Sequence, residues 1–168
     1  MSRHYWLFKT EPTTFGLAHL QRAAAQTSGW DGVRNYQARN YLRDEVQVGD
    51  GVLFYHSGTA PVIVALCRVV RGAYPDATQF DRGSAAYDPK ATPAAPRWYA
   101  VDVQLERALP VPLPLARLRT VPALAGLALL RPGQRLSIQP VSAAHWAVLL
   151  QLGGLASAAG PRPRRGGA

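Results

Sequence analysis

Two apolar runs separated by four turn-forming residues limit this chain more than any other feature. Val52-Leu53-Phe54-Tyr55-His56-Ser57 reads as a strand. Gly58-Thr59-Ala60-Pro61 reads as a turn, and Val62 to Val70 as a second strand rich in β-branched residues. Together they predict a β-hairpin built of core-facing residues. A third strand is predicted over Arg97 to Glu106, where Tyr99, Val101, Val103 and Leu105 alternate with Ala100, Asp102, Gln104 and Glu106. That alternation puts one face of the strand on a core and the other toward solvent.

Further elements follow the same reasoning. Tyr5 to Thr10 is aromatic and apolar and stops at Pro12, which predicts a strand. A helix is expected from a cap at Thr13 or Thr14 to about Ala25, with Leu17, Leu20 and Ala24 on one face and Thr27-Ser28-Gly29 closing it. Tyr36 to Glu45 has helical spacing at Ala38, Tyr41 and Leu42, while Arg39 and Arg43 share the opposite face. Those arginines suit a solvated face or contact with phosphate. Residues 72–96 are expected to form a long loop, 110–133 short helices, Arg135 to Gln139 a strand, and Ser142 the cap of a helix over Ala143 to Leu152. Helices do not alternate strictly with strands. The fold class expected is α+β, a curled, mostly antiparallel sheet or small β-barrel flanked by helices.

A chain of 168 residues is long enough for one domain with a substantial core. The formal charge of +9 draws it toward polyanions, nucleic acid first. Arg162, Arg164 and Arg165 carry three of those charges in residues 154–168. That Ala/Gly/Pro/Arg composition predicts a flexible basic tail. Cys67 is the only cysteine, so neither an internal disulfide nor a cysteine-based zinc site is expected, which fits a reducing cytoplasm. The N-terminus has no h-region, and no apolar run is long enough to span a bilayer, so no signal peptide and no membrane partner are expected. The four histidines are scattered and lack metal spacing, and no P-loop or dinucleotide fingerprint occurs, so no metal or cofactor is expected.

The functional signal is concentrated in Trp30-Asp31-Gly32-Val33-Arg34-Asn35-Tyr36. An aromatic plane beside a planar cation and an amide is equipment for stacking on and hydrogen-bonding a nucleobase. The same seven residues also suit a turn with a buried Trp and an Asn capping the next helix. On the strand expected at Arg135 to Gln139, Arg135, Ser137 and Gln139 share one face. They either face solvent or meet Trp30 and Asn35 as the polar side of an aromatic-walled pocket.

Longer segments carry a resemblance. Tyr5-Trp6-Leu7-Phe8-Lys9-Thr10-Glu11-Pro12, Trp30 through Asn40, Gly49-Asp50, Phe54-Tyr55-His56-Ser57, Ala73-Tyr74-Pro75-Asp76, Tyr87-Asp88-Pro89-Lys90, Pro96-Arg97-Trp98-Tyr99 and Arg135 through Ser142 are similar, in this order, to the EVE-domain family. The resemblance covers residues 4 to about 152 within a domain expected over 1–153. Ala65 departs from it, standing where the family usually has Gly. The resemblance implies a PUA-like fold and a non-catalytic, cytoplasmic, monomeric module. Its partner would be single-stranded or locally opened DNA or RNA carrying a modified base of the methylated or hydroxymethylated cytosine class. Carried over, Trp30 would stack, and Asn35, Tyr55, His56, Ser57, Ser137 and Gln139 would line or read the base. Lys9, Thr10, Arg34, Arg39 and Arg135 would hold phosphate or line the mouth. The competing readings are an ASCH-like ribonuclease on the same barrel, using Lys9, Arg34 or Arg135 with Glu11, and an adaptor for a free nucleotide or a protein.

Overall fold

A computed structural model of the chain describes residues 3–155. From residue 156 onward the expected basic tail lies outside the described residues. Six strands, β1 (Tyr5–Thr10), β2 (Thr27–Trp30), β3 (Gly51–His56), β4 (Val62–Pro75), β5 (Tyr99–Pro114) and β6 (Ile138–Val141), form one sheet in the order β2-β5-β4-β3-β1-β6. All neighbours are antiparallel except β1 and β3. The expected hairpin is β3–β4, with a register shift between Phe54 and Tyr55.

The sheet is curled. Trp30 on β2 and Phe8 on β1 are four inter-strand spacings apart, roughly 19 Å in a flat sheet, yet their rings lie 5.3 Å apart. Inside the curl, Trp6, Phe8, Trp30, Phe54, Cys67, Val101, Val103 and Ile138 form one core with Leu20, Ala38 and Leu42. On the other face, Leu7, Leu53, Tyr55, Ile63 and Leu113 pack with Leu118, Leu124, Trp146 and Leu149 from the C-terminal half. Burial on both faces explains why β1 and β3 read as continuous apolar runs rather than alternating ones. Gly51 is fixed by this packing: a Cβ there would lie 2.6 Å from the Trp146 ring, itself stacked on Tyr5 at 4.5 Å.

Several expected boundaries are corrected. The first helix, α1, is only Leu17–Arg22, not a Thr-capped helix reaching Ala25. Thr14 and Phe15 instead donate backbone N–H groups to the Glu11 carbonyl in a turn. Side chains serve the helix start: His19 Nδ1 accepts from Gly16 N–H and His56 Nε2 from Leu17 N–H. The helix stops where Ala23 turns extended, and Ala25 and Gln26 just beyond it are left-handed. Thr27-Ser28-Gly29 is not its closing turn but most of β2, which a four-residue strand is too short to reveal by periodicity.

The second helix, α2 (Tyr36–Asn40), continues as five residues of π-helix, Tyr41–Glu45. β5 runs through Pro114, past the point where short helices were expected. Because β2 pairs only with residues 101–104, the Pro-rich end of β5 is an edge on that side, where a missing N–H is tolerated. The short elements then follow: α3 (Leu115–Leu118), 3-10 turns at Pro122–Leu124 and Ala128–Leu130, and α4 (Ala143–Leu152), capped by Ser142.

β6 begins at Ile138, so Arg135, Leu136 and Ser137 precede it. Residues 72–96 are no loose loop. β4 extends to Pro75, Ala77–Phe80 is a 3-10 turn, and buried Gln79 spends its whole amide on the backbone of Asp76, Arg97 and Trp98. Among the described residues no helix is long and apolar enough to cross a membrane.

Candidate nucleic-acid interface

The curl leaves a seam where β2, one edge of the sheet, approaches β1 and the segment leading into β6. A cavity of about 440 Å³ opens there. Its walls are Lys9 and Thr10 from the end of β1, Ser28, Gly29 and Trp30 from β2, the turn Asp31 to Asn35, Ser137 before β6, and Thr14 and Phe15. The structure therefore brings together Lys9, Thr10, Trp30, Arg34, Asn35 and Ser137 from three separate stretches of the sequence. It adds Asp31, Ser28 and Phe15, which no periodicity marked.

The other expected site residues do not line this cavity. Tyr55 is buried on the opposite face of the sheet. His56 points toward α1 and holds its N-terminus, and its imidazole is kept below the usual range by burial, as an accepting Nε2 requires. Ser57 lies past the end of β3, its N–H bonded to the Thr10 carbonyl. Gln139 is buried, donates to the Leu136 carbonyl at 2.9 Å, and borders a groove on the far side of β6. The face shared by Arg135, Ser137 and Gln139 does not exist, because the strand that would have created it starts three residues later. Arg135 is exposed away from the cavity, and Arg39 sits on α2. Ala65 is buried in the inner core, paired with Phe54, and does not narrow the cavity.

Trp30 is 6 % exposed. Its ring is edge-on to Phe54 at 5.4 Å and packs on Phe8 and Phe15. It is a floor set into the core, not an open face. Asn35 accepts the Ala38 N–H at 3.0 Å and so caps α2, while its amide still borders the cavity. The turn with a buried Trp and an Asn cap is what forms, and the same residues line the cavity.

Arg34 lines the cavity, and of its two expected roles only the phosphate contact is closed to it. Its guanidinium has five N–H groups, and all five are engaged: two on the Ala86 carbonyl, one each on the Val33 carbonyl, Asp76 Oδ2 and Thr78 Oγ1. No donor remains for a phosphate. Asp76 is the hub of this clamp and also accepts the N–H groups of Gly32 and Thr78. Gly32 sits at φ +78°, a left-handed turn that aims its N–H at the carboxylate. Burial pushes the Asp76 carboxyl up, but hydrogen bonds from the Thr78 hydroxyl, Gly32 N–H, Arg34 and Thr78 N–H outweigh it and hold the group below the usual range.

Two further charged residues, Lys9 and Asp31, line the cavity. Lys9 makes one long bond to the Gln134 carbonyl and lies 5.7 Å from the Tyr55 ring centre; burial lowers its ammonium. For Asp31, desolvation and the neighbouring Asp76 charge raise the carboxyl, partly countered by Arg34. Among the described residues neither is in an ion pair. The cavity thus brings a carboxylate, an amide and the Ser137 hydroxyl to an aromatic floor, with Lys9 at its rim. Such a set matches the edge and face of a flat heterocycle.

The model of the EVE domain matches residues 4–152. Thymocyte nuclear protein 1 of Danio rerio is 40 % identical over 165 residues, covering 88 % of this chain and 71 % of the relative. A crystal structure of human THYN1 protein in complex with 5-methylcytosine containing DNA superposes with a TM-score of 0.83 at 38 % identity, covering 89 % of this chain and 97 % of that one. A crystal structure of a Pseudomonas syringae protein gives the same TM-score at 42 % identity, covering 89 % and 99 %.

Proposed function

The chain belongs to the EVE-domain family, and on that premise we propose that it binds nucleic acid without cleaving it and takes up a modified base of the methylated or hydroxymethylated cytosine class in the seam cavity. The observation that carries this reading is an aromatic floor beside Asp31, a carboxylate outside the ion pairs of the described residues, with Asn35 and Ser137 on the same walls. Cytosine presents an exocyclic amine that donates and ring atoms that accept. Asp31 is placed to accept from the amine and Asn35 to donate to a ring acceptor, while Lys9, at the rim, would hold a phosphate. Phe15 and Val33 supply apolar surface for a 5-methyl group, worth about 0.8 kcal/mol when buried. The 5-methylcytosine-containing DNA bound by the human relative supports this class of ligand.

The base reaches such a cavity only from a single strand or by extrusion from a duplex, at a cost of about a few kcal/mol in the second case. A cytoplasmic monomer is part of the proposal. Cys67, buried with its thiol pushed up to about 12 by burial and the Glu106 charge, is in keeping with it. The ribonuclease reading is the weaker one because its residues do not assemble: Arg34 is saturated, and neither Arg135 nor Glu11 lines the cavity. The deciding experiment titrates the protein with oligonucleotides containing 5-methylcytosine or cytosine, as DNA and as labelled RNA. Tighter binding of the methylated strand is expected, with Asp31→Asn weakening both strands. Equal binding of both strands, or cleavage of the RNA, refutes the proposal.

A further inference from the structure

Among the described residues only one aromatic side chain is more than a third exposed, and it adjoins the cavity. Tyr36 follows Asn35 directly and is 53 % exposed. An exposed aromatic is by itself ordinary surface. This one is mounted. Its ring lies 4.9 Å from that of Trp98, tilted by 31°. Trp98 is buried and anchored by its indole N–H on Asp88 Oδ2 at 2.8 Å. Arg39, one helical turn on, lies 4.9 Å from the Tyr36 ring centre. Its guanidinium is held by Asn40 Oδ1 and the Arg97 carbonyl, which leaves three N–H groups free.

A half-exposed ring on a rigid base, beside a planar cation with spare donors, is a surface on which bases stack. It is also continuous with the cavity: the residue that borders the cavity and the residue that carries the ring are neighbours in the chain. We propose that Tyr36 and Arg39 form a second subsite, a stacking platform for the nucleobase adjacent to the one in the cavity, with Arg39 donating to the intervening phosphate. The proposal rests on the cavity reading above. It adds that recognition extends to a flanking nucleotide, by stacking and therefore with little preference for which base it is.

The test compares three ligands: a short 5-methylcytosine oligonucleotide, the same oligonucleotide with abasic sites on both sides of the modified base, and 5-methyl-2′-deoxycytidine monophosphate. Wild-type protein is expected to lose roughly tenfold or more in affinity when the flanking bases are removed. Tyr36→Ala should lose the same factor on the intact oligonucleotide, lose nothing further on the abasic one, and bind the mononucleotide like wild type. Tyr36→Phe keeps the ring and should bind every ligand like wild type. Three results overturn the platform: wild type indifferent to the abasic flanks, Tyr36→Phe as weak as Tyr36→Ala, or Tyr36→Ala losing the mononucleotide as well. In each, a mononucleotide bound by wild type leaves the cavity reading standing. If wild type shows no preference for the modified base in any form, the cavity reading fails and takes the platform with it.

Discussion

Replacing Arg34 by Ala separates a structural clamp from a phosphate contact, because the two roles predict opposite results. The structure makes Arg34 a clamp. Its side chain is 23 % exposed, it pairs with fully buried Asp76 at 3.0 Å, and all its donors bind the protein. Removing one partner of a buried pair costs about 3–5 kcal/mol. The low end applies, since Asp76 keeps its bonds from Gly32 and Thr78. For a chain of this size about 3 kcal/mol corresponds to roughly 6–12 °C in Tm. Thermal denaturation by circular dichroism is expected to show that loss for Arg34→Ala, a comparable loss for Asp76→Asn, and less than the sum for the double variant. Measured well below Tm, the salt dependence of DNA binding should be unchanged. A Tm within about 2 °C of wild type, together with a salt slope flattened by about one phosphate contact, roughly 0.7–0.9 units, would refute the clamp.

Trp30→Ala should cost about 3–5 kcal/mol in stability as well as ligand binding, because the ring belongs to the core; Trp30→Phe, read by the same melts and titrations, should restore most stability while binding stays weakened. His56 is neutral in the fold and accepts the Leu17 N–H, so the unfolded chain takes up its proton first. Stability is therefore full above about pH 6.5 and declines as pH falls toward and through the lowered native value; His56→Gln should remove that component from Tm measured between pH 5 and 8. Lys9→Met should raise Tm slightly, by removing a partly desolvated charge, while weakening oligonucleotide binding about tenfold or more, as fluorescence anisotropy would read.

The sheet was legible wherever a strand was long enough to show a period. The hairpin of β3 and β4 appears in the structure, and so does the alternation in β5 except at Ala100, which is buried. β2 escaped because four residues carry no period, and its only mark is the ladder it makes with Val101 to Gln104. β6 was misplaced for a related reason: the turn at residues 131–137 and Pro140 hide where pairing starts. The site divides the same way. The residues around Trp30 reached the cavity because they are contiguous, so one correct motif carried them all. His56 and Gln139 did not, because direction at a strand end depends on the next element. Leu17 N–H takes His56, and the Leu136 carbonyl takes Gln139. For Arg34, sequence gives a cation's presence at the cavity wall and not the number of its donors already engaged.

That engagement also separates the two parts of recognition. The turn from Asp31 to Asn35 is held at one end by Trp30 in the core, in the middle by Asp76, and at the other end by the α2 cap. Asp76 is in turn held by Gln79 and Arg34. A cavity fixed from so many directions loses little further freedom when a ligand enters. The formal charge of +9 acts differently. It draws in any polyanion, an attraction that weakens steeply with salt and carries no sequence information. In the proposed reading, selection of the base rests on short-range contacts shielded inside the cavity, and burial of one methyl group contributes about fourfold. Affinity for methylated and unmethylated strands is therefore expected to fall together as salt rises, with their ratio constant near that value. Titrations of both strands between low and moderate salt measure it directly. A ratio that collapses along with the affinity would mean that surface charge, and not the cavity, distinguishes the two.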